Sequence, residues 1–92
     1  MSPIEPTLLQ TGPETFEVWV AGRRLQARVR HHTRRGLGLT GLPPLQVAAE
    51  MVAFLVERDA LPADATDAGP VDLGRAVGRF PEAMEELRVR LS

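Results

Sequence analysis

A chain of 92 residues holds one domain, because two would each fall below about 50 residues, where a core is hard to sustain unaided. It contains no cysteine, which excludes disulfide staples, thiolate metal ligands and a cysteine nucleophile. Net charge is −1 but unevenly spread: residues 18–49 carry six arginines and no acid, a polarity open to a nucleic acid, an acidic protein or a second copy of the chain.

Met1-Ser2-Pro3-Ile4-Glu5-Pro6 lacks the basic and apolar regions of a secretory signal, and no apolar run approaches the roughly 20 residues that span a bilayer. A cytoplasmic location without membrane insertion is therefore expected. Prolines at 3, 6 and 13 and the want of periodicity predict a flexible N-terminal arm over residues 1–14, anchored at most by Ile4, Leu8 and Leu9. A single small α+β domain is expected over residues 15–92.

Phe16-Glu17-Val18-Trp19-Val20-Ala21 and Arg24-Leu25-Gln26-Ala27-Arg28-Val29-Arg30 both alternate with period two around Gly22-Arg23. Glycine at the first central position of a two-residue loop suits a type II′ turn. That turn sets Ala21 opposite Arg24, Val20 opposite Leu25, Val18 opposite Ala27 and Phe16 opposite Val29, with the apolar residues on one face. Glu17, Trp19, Ala21, Arg24, Gln26, Arg28 and Arg30 take the other face, Glu17 facing Arg28 as a cross-strand pair.

His31 to Arg35 continues as an extended segment into Gly36-Leu37-Gly38-Leu39-Thr40-Gly41, read as a flexible connection. Pro43-Pro44 opens a helix from Leu45 to about Arg58, apolar almost all round, with polar residues at Gln46, Glu50 and Glu57. Residues 59–70 read as an acidic loop. Asp72 is placed as N-cap of a short helical turn through Leu73, Val77 and Phe80, broken before Pro81. Pro81 then starts an amphipathic C-terminal helix whose stripe is Phe80, Met84, Leu87 and Leu91, with acids early and arginines late, as the helix dipole prefers.

Gly36-x-Gly38-x-x-Gly41 has the spacing of a dinucleotide-binding turn. Its context is wrong for one, because the preceding strand belongs to a hairpin, two prolines precede the helix and no parallel strand follows. No cofactor is expected. His31 and His32 are the chain's histidines and, as neighbours on an extended segment, point to opposite sides, so no metal is expected there. The sequence has no lysine, cysteine or tyrosine, and its serines are Ser2 and Ser92. With so few nucleophiles, a non-enzymatic role is expected.

Trp19 with Arg24, Arg28 and Arg30, continued by Arg34 and Arg35, forms the candidate partner-binding surface. Arginine forks hold phosphates and an indole stacks on bases, so a nucleic acid is one partner to weigh. Trp19, Leu37, Leu39 and Leu42 have no assigned apolar neighbours, and an exposed patch of that kind marks a protein interface. An accessory or regulatory module that binds a protein or itself is the leading expectation, and an arginine-rich nucleic-acid binder is the alternative. A lone hairpin is marginal in water, so a homodimer is expected.

Taken together, the hairpin with Gly22-Arg23, then Gly41-Leu42-Pro43-Pro44, Phe54-Leu55-Val56-Glu57-Arg58, Val71-Asp72-Leu73 and Arg79-Phe80-Pro81-Glu82, resembles a group of short bacterial proteins built from a β-hairpin and helices. The resemblance implies a fold: an N-terminal antiparallel hairpin packed on a hydrophobic central helix, a short helix, and an amphipathic C-terminal helix. It implies no chemistry.

Overall fold

The structure, a computed structural model, describes residues 6–20, 22–61 and 70–91. It is an α+β fold. Strands β1 (Thr7–Gln10), β2 (Thr15–Val20), β3 (Arg23–Arg28) and β4 (Val71–Asp72) form a sheet in the order β1-β2-β3-β4. The first three are antiparallel neighbours and β4 joins β3 in parallel. Helices α1 (His31–Leu37), α2 (Pro44–Glu57), α3 (Leu73–Val77) and α4 (Ala83–Leu91) complete the chain.

The period-two alternation of β2 and β3 has the consequence expected of it. Phe16, Val18, Val20, Leu25 and Ala27, with Val29 just beyond, are buried on one face, against Val47, Ala48, Met51, Val52, Phe54 and Leu55 of α2. Each fully buried aliphatic or aromatic side chain of this kind contributes about 1.5–3 kcal/mol. Leu73 and Val77 of α3 and Ala83, Leu87 and Leu91 of α4 close the same core.

The register differs from the expected one. Val20 pairs with Arg23, Val18 with Leu25 and Phe16 with Ala27, so Arg23 belongs to the strand rather than to the turn, and residue 21 lies outside the described residues. Gly22 has φ +77° at the second central position, a left-handed conformation that glycine adopts at little cost. The pairing moves by two positions, which preserves parity, and every described side chain of β2 and β3 keeps its expected face.

Residues 7–10 correct the reading of 1–14 as a flexible arm, while residues 1–5 of that arm lie outside the described residues. The prolines flank β1 instead of interrupting it. Leu8 faces Val18 and packs against the core, and the turn back to β2 is closed by Thr11 N–H donating to the Thr15 carbonyl at 2.9 Å. With β4 added on the far side, the sheet is no lone hairpin, and its stability no longer calls for a dimer.

The segment read as extended and flexible is helix α1. Its N-terminus is capped from a distance: the His31 N–H donates to Glu14 Oε2 at 2.6 Å, while the Glu14 carbonyl accepts from Val29 N–H at 2.9 Å. Gly38 ends the helix at φ +73°, its N–H returning to the last turn. As a result Leu37 and Leu39 are 5 % and 7 % exposed, and Leu42 packs against the core. They are core residues, not the apolar surplus read from the sequence.

Asp72 caps α3 as expected, its carboxylate accepting from Arg75 N–H at 3.2 Å. The buried stripe of α4 is Ala83, Leu87 and Leu91, with Phe80 packed against the core just before the helix and Met84 48 % exposed in place of its expected burial. No described helix is long and apolar enough to cross a membrane.

Candidate functional site

Among the described residues, no helix covers the other face of the sheet. Cross-strand pairing arranges its side chains in rows: Thr7, Trp19 and Arg24, then Leu9, Glu17 and Gln26, then Thr15 beside Arg28. None of these residues is buried. Leu9 is 54 % exposed and lies diagonally from Trp19, within reach of an aromatic ring across a strand pair. Below them a shallow depression of about 220 Å³ is lined by Thr11, Thr15, Phe16, Glu17, Gln26 and Pro70.

The charges of this face are partly spent on one another. Arg24 Nε lies 2.7 Å from Glu17 Oε1, a diagonal pair that replaces the expected pairing of Glu17 with Arg28. Glu17 sits opposite Gln26 because of the changed turn. Arg28 is half-buried, and its Nε is enclosed without a hydrogen-bond partner among the described residues. Arg30, past the end of β3, has Nε 3.4 Å from Asp72 Oδ2.

Arg34 and Arg35 sit on α1 and do not extend the sheet face. Arg34 is 8 % exposed and its Nη2 donates to His31 Nδ1 at 3.2 Å, while Arg35 is exposed. An arginine has no lone pair to offer, so His31 Nδ1 must be the acceptor. His31 and His32 are thus neighbours on a helix, not on a strand, and among the described residues no group of three His, Cys, Asp or Glu could hold a metal ion. Of the residues singled out from the sequence, Trp19, Arg24 and Arg28 share the bare face. Leu9, read from the sequence only as an anchor of the arm, and Thr7 join this face through β1.

A second charged constellation lies between α2 and α4. Arg90 grips Glu57 with both terminal nitrogens, at 2.6 and 2.7 Å, and its Nη2 also reaches Glu86 at 2.7 Å. Arg58 bonds Glu86 at 2.6 Å and Glu82 at 3.3 Å, with its guanidinium 3.7 Å above the Phe54 ring. Phe80 meets Phe54 edge-on at 5.6 Å. The hydrogen bonds from Arg90, helped by the charges of Arg90 and Arg58 against a burial effect, hold the Glu57 carboxyl below the usual carboxylate range. Arg90 is pushed up in turn, first by the Glu57 hydrogen bonds.

No protein-family model, curated protein or solved structure matches this chain. The segments Phe54-Leu55-Val56-Glu57-Arg58 and Phe80-Pro81-Glu82, far apart in sequence, meet in the cluster just described. Their residue types suit the contact, with a ring for the guanidinium to cover and carboxylates to engage its fork. The charges of this cluster are spent on one another in joining two helices, so the bare sheet face is the better candidate site.

Proposed function

We propose that the protein is a small, non-catalytic interaction module of the cytoplasm that binds a protein partner through the outer face of its sheet. The observation that carries this reading is the bare face itself, where Leu9 and Trp19 lie exposed and half-exposed with no helix over them. A protein surface offering an aliphatic or aromatic side chain to Leu9 and Trp19, and a carboxylate to the half-buried Arg28, would complement it. A wide aromatic ring beside an arginine is the composition that dominates protein interfaces.

Nucleic-acid binding is the weaker reading because several cations it needs are engaged. Arg24 is held by Glu17, Arg30 by Asp72, and Arg34 is buried against His31. The deciding experiment titrates the protein with mixed DNA and RNA fragments at about 50 and 200 mM salt, beside an Arg24→Ala, Arg28→Ala, Arg30→Ala variant. The expected result is no binding in either salt. Binding that weakens steeply with salt and vanishes in the variant would overturn the proposal in favour of nucleic acid.

A further inference from the structure

β1 stands at the edge of the sheet, and its backbone shows which of its groups look outward. Thr11 N–H donates to the carbonyl of Thr15, so these two form a hydrogen-bonded pair. Antiparallel ladders alternate, which makes Leu9 with Glu17 and Thr7 with Trp19 the next hydrogen-bonded pairs. The second ladder agrees: Val29 N–H donates to Glu14 O, so Phe16, Val18 and Val20 bond to β3 while Thr15, Glu17 and Trp19 bond to β1. The N–H and C=O groups of Leu8 and Gln10 therefore point away from the sheet, and they have no partner among the described residues.

Exposed edges are normally guarded by a charge, a proline or a bulge. Thr7-Leu8-Leu9-Gln10 has none of these, and its pairing to β2 is regular. We infer that β1 pairs antiparallel with β1 of a second copy of this chain, Leu8 facing Gln10 of the second copy and Leu9 facing its own twofold mate. The outward groups restrict the pairing to registers in which Leu8 and Gln10 supply the hydrogen bonds; of these, the one inferred here has Leu8 and Gln10 exchange them, with the twofold axis between the two Leu9 residues.

Leu9 then falls at a non-hydrogen-bonded pair, where facing side chains approach most closely. This accounts for an exposed leucine on a strand whose other leucine is drawn to the core. It also joins the two outer faces into one surface with a Trp19 on either side of the axis. A charged strand would repel its own copy at such an axis; β1 carries no charge. The inference extends the outer-face reading, since Leu9 belongs to that face, but it rests on the backbone of β1.

The test measures mass by light scattering on the full chain at micromolar concentration, with Leu9→Lys and Gln10→Pro variants. Leu9→Lys sets two like charges facing each other on the axis. Gln10→Pro removes an outward N–H and leaves the bonds to β2 untouched. The unaltered chain is expected at about twice 10.1 kDa and both variants at the monomer mass, with unchanged far-ultraviolet circular dichroism. Because the chain has no cysteine, Leu9→Cys and Thr7→Cys report register directly. Close facing β-carbons at the axis should let Leu9→Cys form a disulfide dimer about tenfold faster than Thr7→Cys. A monomeric unaltered chain, a dimer that survives both substitutions, or equal cysteine rates would overturn the inference. Failure here, with no nucleic acid bound, leaves the outer-face reading standing.

Discussion

Gly74 of α3 lies against Thr33 of α1, and replacing it with alanine sets two effects against each other. Alanine is the better helix former by about 0.5–1 kcal/mol. Its β-carbon, however, would lie 2.6 Å from Thr33 Cγ2, 3.0 Å from Thr33 Oγ1 and 3.3 Å from Thr33 Cβ. Unstrained carbon contacts are about 3.5–4.0 Å, and a β-branched residue on a helix has little freedom to turn away. Rotation would in any case bring one branch or the other towards the new methyl. Overpacking of this kind costs about 1–3 kcal/mol, so the expected net change is a destabilisation of about 0.5–2 kcal/mol.

Urea unfolding followed by circular dichroism, with Trp19 emission as a second probe, measures it. Thr33→Ala removes both near atoms, and in the double-mutant cycle Gly74→Ala and Thr33→Ala should couple favourably by about 1 kcal/mol or more. If Gly74→Ala proves as stable as the parent, and Thr33→Ala makes no difference to it, the packing of α1 on α3 is refuted.

Asp59 sits at φ +51° after α2, with Ala60 N–H donating to Leu55 O at 2.8 Å, the closing arrangement that glycine favours. Asp59→Gly relieves backbone strain of about 1–2 kcal/mol and loses about 0.5–1 kcal/mol to chain entropy, so thermal unfolding should show a gain of about 0.5 kcal/mol. Glu57 gives stability a pH dependence. Its folded-state pKa is depressed, so its contribution is fully present above the unfolded value near 4.3 and is lost as pH falls through the lower folded value. The Glu57 side chain is 52 % exposed, which limits the effect to about 0.2–1 kcal/mol; Arg90→Gln should flatten that part of the pH–stability curve.

The parts legible in the sequence were those set by local periodicity. Alternation from Phe16 to Val29 assigned every described side chain of β2 and β3 to its face, and a two-position slip in register could not disturb that assignment. The apolar run after Pro44 and the cap at Asp72 were equally local signals. Helix α1 was not legible because its N-terminus is capped by Glu14, across the turn of the chain, and its glycine-rich continuation is a helix stop rather than a hinge. β1 and β4 are short and exist through pairing with their neighbours, so no window of sequence announces them. Trp19 was found because β2 was found; Leu9, its diagonal neighbour, was read only as an anchor of the arm because β1 was hidden.

The most direct measurement places a photo-reactive side chain at Gln26, beside Glu17 on the bare face, and in a separate chain at the exposed Glu85 of α4. Irradiation in cells, repeated with Trp19→Asp, reads which surface another protein covers. A discrete adduct with a different protein from position 26, absent from position 85 and lost with Trp19→Asp, is the expected result. Equal labelling from both positions, or adducts from position 26 that contain nucleic acid, would contradict the proposed role of the sheet face.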